Sequence, residues 1–245
     1  LLHPIEIPLH KKHLLTREHM FLYNSLMINI CSNDDIFKKL NGIKAEFVIN
    51  KRIGEYTTKG ESVGELNIFQ CKLDDNDKKE LKEKLSPLFI INAYSNEEDY
   101  HRGIVNLSEI ANMALSPGTN DPNTAIMCIN KMSSLLGKLL STGNHFVILK
   151  EDENVKIIYQ SYSVKDELYL GFSQIISYSA GDPLVTKEIL QGIYIIYIMA
   201  DISAKKSIKS FFDDSYEILI ENFTHEIHLD IFKRIKNNME EYVSL

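Results

Sequence analysis

The spacing of hydrophobic residues changes near residue 70, and this change divides the chain into a β-rich part and a mainly helical part. In the first part, short apolar and β-branched runs predict strands, with glycine turns between the central ones. Further along, apolar residues recur at spacings of three and four, which predicts helices buried along one stripe. The sequence therefore predicts an α+β fold, in which a small β-rich module, similar to a barrel or sandwich, precedes a mainly helical domain.

The individual elements are predicted from the same two signals, the short apolar runs of strands and the three-and-four spacing of helices. Strands are predicted over 21–30, 47–49, 63–69 and 88–93. Helices are predicted over 32–42, 74–85, 104–115, 122–139, 163–176, 183–200, 211–223 and 227–239, and Ser163 with Asp166 gives the fifth of these a capping-box-like start. Two apolar runs on either side of an acidic turn predict a β-hairpin inserted among the helices, near 145–160. We expect a linker or juxtamembrane segment over 1–18, a β-rich module over 19–70 and a helical domain over 71–245.

A turn at residues 115–125 joins two of the predicted helices and is more specific than a simple connection. Pro117 cannot continue the preceding helix. Asp121 is then a natural N-cap, and Pro122 suits the first helical position because that position needs no N–H donor. Residues 181–183 repeat the arrangement of turn, Asp cap and Pro, so both helices are predicted to begin in the same way.

Five polar side chains at these two turns are the candidate binding residues. They are Ser116, Asn120, Asp121, Thr124 and Asp182. In one interpretation they only cap helices at a structural corner. In the other, they act with the free N–H groups of the helix N-terminus to hold an anion or another polar group. No catalytic residue and no metal ligand is predicted.

The central turn also carries a family resemblance. Residues 114–125 resemble the Ala-Leu-Ser-Pro-Gly-x-Asn-Asp-Pro-x-Thr-Ala signature of the bacterial DUF2254 family of predicted membrane proteins. A block over 172–183 and a glycine-turn segment over 53–60 are similar to further parts of the family pattern. The family usually has an arginine where this chain has Met113, and an Arg-Thr pair at positions 94 and 95, so the obvious anion-binding groups are missing here.

The resemblance implies a soluble domain of a bacterial inner-membrane protein, on the cytoplasmic side, joined to the membrane through a segment missing from this chain. We expect a non-enzymatic module for regulation, ligand sensing or assembly, with a homo-oligomer and a small polar ligand as partners. Two alternatives stay open. One is an enzyme acting on a small polar or phosphorylated substrate, and the other is a structural oligomerisation domain of a channel or transporter.

Composition excludes several other classes. A formal net charge of −7 argues against a nucleic-acid surface. The three cysteines are scattered and never form a C-x-x-C pair, which argues against a disulfide framework or zinc site and fits a reducing compartment. No apolar run reaches the ~20 residues that a membrane-spanning helix needs.

Motifs for known catalytic and cofactor chemistry are missing from the sequence. It contains no phosphate-binding glycine loop, no nucleophile elbow and no zinc-protease motif, so no cofactor is expected. His225 and His228 have a spacing that one metal accepts, but no second pair of ligands follows. A hydrolase built on Ser116 and Asp121 would need His101 or His145 to approach in space as the base.

Overall fold

The computed structural model describes residues 5–8, 26–30, 43–52, 56–57, 61–69, 74–85, 89–92, 100–142, 146–151, 154–160, 162–179 and 181–243. The chain forms two compact units. A β-rich unit comprises Leu1–Asp99 with His145–Ser161, and a helical unit comprises Tyr100–Asn144 with Tyr162–Leu245. The α+β prediction is confirmed, while closure of the β-rich unit as a barrel or sandwich stays a prediction.

The strands of the β-rich unit form two sheets. They are β1 Ile5–Pro8, β2 Leu26–Ile30, β3 Ala45–Ile49, β4 Tyr56–Thr57, β5 Ser62–Ile68, β6 Phe89–Asn92, β7 Phe146–Glu151 and β8 Val155–Gln160. The larger sheet has the order β1-β5-β3-β8-β7, and the smaller has the order β4-β2-β6. Neighbouring strands are antiparallel except for β3 and β8, which are parallel.

Alternating side chains build the core of the β-rich unit. On β3, Ala45, Phe47 and Ile49 are buried, and the residues between them are only half-buried. Helix α1, Asp75–Leu85, is charged over most of its surface and buries Leu81 and Leu85. Because these two leucines are four residues apart, they lie on one face of the helix.

The pairing of β3 with β8 divides the chain differently from the predicted domains. Ala45 lies opposite Val155 and Ile49 opposite Tyr159, so the predicted hairpin joins the larger sheet and does not belong to the helical domain. Strand β6 pairs with β2, which extends the β-rich unit beyond residue 70. Strand β1 lies within the predicted linker. The predicted helix over 32–42 and the rest of 1–18 fall outside the described residues.

Six helices are described in the helical unit. They are α2 Tyr100–Leu115, α3 Pro122–Leu140, α4 Val164–Tyr178, α5 Pro183–Met199, α6 Ile202–Ile220 and α7 Glu226–Val243. Helix α6 begins well before its predicted start at 211, because the Asp201 carboxylate accepts hydrogen bonds from the backbone N–H of Ser203 (2.9 Å) and from its hydroxyl (2.6 Å). The lysines before 211 therefore lie on the helix.

Cross-helix contacts fix the directions of the first four of these helices. Helices α2 and α4 run parallel, because their first turns meet through His101 and Glu167 and their later turns through Asn112 and Gln174. Helices α3 and α5 also run parallel. The middle of α5 meets the middle of α3 at Gly192, and the Asp201 N–H after α5 donates to the carbonyl of Leu140 at the end of α3 (3.0 Å).

These directions place both Asp-Pro turns at the same end of the helical unit. The chain reverses between α2 and α3 at residues 116–121, and between α4 and α5 at residues 179–182. We call the end that carries these two turns the turn end. The chain leaves the helical unit after α3 and re-enters before α4 at the opposite end.

Helix α5 forms much of the core of the helical unit. Ile189, Leu190, Ile193 and Ile196 are fully buried, which explains why its apolar run extends around most of the helix surface. Within the part of the chain that the structure describes, no helix is both long enough and apolar enough to cross a membrane.

Candidate functional site

The first turn closes through its own backbone. Helix α2 ends at Leu115, and the N–H groups of Thr119 and Asn120 both donate to the carbonyl of Ser116, at 3.0 and 2.9 Å. The Asp121 N–H donates to the carbonyl of Ala114 (2.8 Å). Asn120 has a φ of 45°, in the left-handed region that asparagine tolerates better than most residues. The turn is therefore held in a single conformation without any ligand.

Three of the four candidate side chains of this turn, those of Ser116, Asp121 and Thr124, have hydrogen-bond partners within it. The Asp121 carboxylate caps α3 and accepts hydrogen bonds from the Thr124 N–H (3.2 Å) and the Thr124 hydroxyl (2.6 Å). Those two bonds, the hydroxyl first, lower the pKa of Asp121 from its ordinary value. The Ser116 hydroxyl donates to the carbonyl of Met113 (2.7 Å).

The second turn has the same design at the start of α5. Gly181 has a φ of 98°, which favours glycine, and it leads into the N-cap Asp182. One oxygen of Asp182 accepts from the N–H groups of Leu184 (2.9 Å) and Val185 (3.0 Å). The first-turn N–H groups that an anion would use therefore already donate to a carboxylate in both helices.

The structure thus groups four predicted residues, Ser116, Asn120, Asp121 and Thr124, in one turn. It places the fifth, Asp182, in the other turn at the same end of the helical unit. Their bonding is that of a capped corner, the first of the two interpretations drawn from the sequence. A binding role for these side chains stays a prediction.

The two stretches that carry these turns are nearly free of charged residues. Residues 110–130 contain only Asp121 as a charged residue, and residues 168–186 contain only Asp182. Both carboxylates cap helix N-termini, where the helix dipole offsets negative charge. Within these stretches Tyr169 is also exposed, but it lies in the first half of α4, away from the turns. The surface close to the turns carries five large hydrophobic side chains that are between 47% and 71% exposed: Ile110, Met113, Met127, Tyr178 and Leu184. We call this surface the end face.

A polar cluster that the sequence did not predict lies at the opposite end of α2 and α4. Glu167 is 2% exposed, and its Oε1 accepts from the Tyr100 hydroxyl (2.9 Å) and lies 2.9 Å from His101 Nε2. The His101 ring lies between the rings of Tyr100 and Tyr162, with centroids 3.9 and 3.8 Å away. Among the described residues, Oε2 of Glu167 is buried without a hydrogen-bond partner.

Sequence reasoning missed this cluster because its members are 66 residues apart. The only local signal is the position of His101, three residues before Ile104 and therefore on the buried stripe of α2. A histidine on such a stripe predicts burial but does not identify its partner. The pairing with Glu167 follows from the packing of α2 against α4.

The arrangement counts against a hydrolase that uses His101 as the base for Ser116. The two residues lie at opposite ends of α2, about 20 Å apart at a rise of about 1.5 Å per residue. His145, the other histidine considered, falls outside the described residues. Of the residues that the structure describes, no three His, Cys, Asp or Glu side chains are grouped to hold a metal, and this includes His225 and His228.

Comparison with known proteins gives a family and distant relatives. The family model described as "Predicted membrane protein (DUF2254)" matches residues 24–194. The uncharacterized proteins Rv1290c of Mycobacterium tuberculosis and Mb1321c of Mycobacterium bovis are each 30% identical over 96 residues. That segment covers 39% of this chain and only 18% of the length of either relative. No solved structure matches the chain.

Proposed function

This chain belongs to the DUF2254 family of predicted membrane proteins, and we propose that it is a non-enzymatic module for assembly and regulation of the membrane protein. We place it on the cytoplasmic side of the membrane. The free, buried thiol of Cys128 and the scattered cysteines agree with a reducing compartment.

The observation that carries the proposal is the end face. Asp121 and Asp182 cap the helices that follow the two turns, and the stretches around them expose large apolar residues and contain no other charged side chain. Protein interfaces have this character, because charged residues are depleted at their centres while Met and Tyr are enriched. Ser116 and Asp121 bond within the turn, and His101 bonds to Glu167 at the other end of α2, which disfavours the enzymatic alternative.

The proposal is tested by adding charge to the end face in the whole membrane protein. Tyr178→Glu places a carboxylate on the face, and Tyr169→Glu places one on an equally exposed tyrosine of α4 away from the turn end. We expect Tyr178→Glu to reduce the size of the assembly in detergent extracts, measured by native electrophoresis, and Tyr169→Glu to leave it unchanged. An identical assembly for both variants and the wild type would contradict the proposed role.

A second candidate function, ligand sensing, is favoured by the buried Glu167 carboxylate. A buried carboxyl oxygen without a hydrogen-bond partner offers a site to a hydrogen-bond donor or a cation. A thermal-shift screen with small amines and metal ions tests this candidate. A dose-dependent shift that Glu167→Gln removes, and that Glu109→Gln on the exposed side of α2 retains, would support sensing. A flat screen would leave assembly as the function.

A further inference from the structure

We infer that the end face is the contact surface between two copies of this chain, which associate in solution through it. This inference rests on the proposed assembly role and names its partner. The face is formed by the C-terminal ends of α2 and α4 and the N-terminal ends of α3 and α5. Its large exposed side chains are Ile110, Met113, Met127, Tyr178 and Leu184.

The size of the apolar surface suits such a contact. At roughly 200 Å² for a large side chain, the five exposures together amount to on the order of 600 Å². A standard interface buries ~800 Å² on each partner, and small polar residues supply part of that area. The same stretches add uncharged polar groups: exposed Thr119 and Asn123, and the bond between Asn112 and Gln174 (2.7 Å). The face therefore combines apolar and uncharged polar groups, as protein interfaces do.

The charge of the end-face stretches indicates whether the face binds a second copy of the chain or a lipid surface. Peripheral membrane surfaces carry Lys or Arg that contact anionic headgroups. The end-face stretches contain neither residue between 110 and 130 or between 168 and 186. The nearest basic residue after the second stretch, Lys187, lies beside Glu188, with 3.7 Å between Nζ and Oε2. The face thus lacks the positive charge that would hold it on a bilayer.

The net charge of the chain favours self-association through this face over other faces. Each copy carries −7, so contact between most parts of two surfaces brings like charges together. At a two-fold interface the same patch meets itself, and charged residues there would repel or need exact partners. An uncharged patch avoids that repulsion. The two stretches of the end face provide such a patch, because the one carboxylate that each contains already caps a helix.

Sedimentation equilibrium of the purified chain tests the inference. We expect a species of twice the 28.2 kDa chain mass, in concentration-dependent equilibrium with monomer. Leu184→Glu and Tyr178→Glu should each raise the dimer dissociation constant at least tenfold, since they bury a charge at the interface. Ile202→Glu and Tyr169→Glu are the matched controls, because these residues are at least as exposed as the test residues and lie away from the turn end. Both controls should leave the constant within about twofold of the wild type.

Three results would overturn the inference. The first is a monomer at concentrations up to about 0.1 mM, where a standard-sized interface would be occupied. The second is equal weakening of the dimer by test and control variants, which would place the contact elsewhere. The third is cosedimentation of the chain with phosphatidylcholine–phosphatidylserine vesicles that Leu184→Glu abolishes, which would assign the face to the membrane. If the chain is monomeric but Tyr178→Glu still shrinks the whole-protein assembly, the assembly role stands and its partner is a different protein.

Discussion

At the residue scale, Asn120 holds a backbone conformation in the first turn that most residues avoid. Its φ of 45° lies in the left-handed region, where a Cβ costs about 1–2 kcal/mol unless the residue is asparagine, aspartate or glycine. We expect Asn120→Ala to lower the free energy of unfolding by about 1 kcal/mol and Asn120→Gly to change it by less than about 0.5 kcal/mol. Urea unfolding measures both. Equal stabilities of the two variants would show that the backbone conformation here is not under strain.

The Asp121 cap makes a pH-dependent contribution to stability. Its folded-state pKa is lowered, chiefly by the Thr124 hydroxyl, from an ordinary value of 3.8. A carboxylate with a depressed pKa stabilises the fold above the unfolded-state pKa and loses that contribution as pH falls through the folded-state pKa. The wild type should therefore be more stable than Thr124→Val at neutral pH, and the difference should shrink below pH 3.8. A difference that is constant with pH would show that the hydroxyl acts only as a neutral partner.

At the element scale, close packing of α3 against α5 depends on glycine. A Cβ at Gly192 would clash with the Ser133 hydroxyl oxygen, which is held by its bond to the Ile129 carbonyl (2.8 Å). Gly192→Ala should lower the free energy of unfolding by about 1–3 kcal/mol through overpacking. Adding Ser133→Ala should restore most of the loss, because the nearest atom to the new Cβ is then 3.3 Å away.

Gly103 in α2 provides the control for the Gly192 and Ser133 variants, because a Cβ added there meets no atom within 4 Å. Gly103→Ala should raise the free energy of unfolding by about 0.5–1 kcal/mol, because alanine reduces the backbone freedom of the unfolded chain. Chemical denaturation of the single and double variants measures the coupling between residues 133 and 192. Additive effects would mean that α3 and α5 separate easily at this point.

Whether an element could be predicted from the sequence depends on the range of the interactions that define it. The starts of α3 and α5 are visible because Asp121 and Asp182 bond only to residues two or three positions further on. Nothing local indicates that β3 pairs with β8, since Ala45 and Val155 are far apart in the chain and meet through the fold. The hairpin itself was therefore predicted correctly, but the sheet that it joins was not predicted.

The same reasoning applies to the candidate site. Capping roles for Asp121 and Asp182 follow from residue type and position. The cluster around Glu167 does not, because a buried glutamate in the first turn of a helix looks in sequence like an ordinary acidic residue near a helix N-terminus. The end face could be predicted in part. The uncharged stretches are visible in the sequence, but the parallel packing of helix pairs brings them to one end.

At the scale of the whole molecule, net charge makes a prediction about self-association. Two copies with −7 each repel, and the end face between them contributes no ion pairs. Raising the salt concentration from about 0.05 M to about 0.5 M shortens the Debye length to a few ångströms and removes most of that repulsion. We therefore expect the dimer dissociation constant to fall as salt rises, when it is measured by sedimentation equilibrium at fixed pH. Apolar contacts do not weaken over this range of salt.

The direction of this salt effect separates the end face from other modes of contact. An interface held by ion pairs between basic and acidic surfaces would weaken over the same range, so a rising dissociation constant would exclude the uncharged face as the contact. Leu184→Glu sharpens the comparison. Because it adds two like charges to the interface of a two-fold dimer, its dissociation constant should depend more steeply on salt than that of the wild type. Ile202→Glu adds the same charge outside the face and should keep a slope close to the wild-type slope.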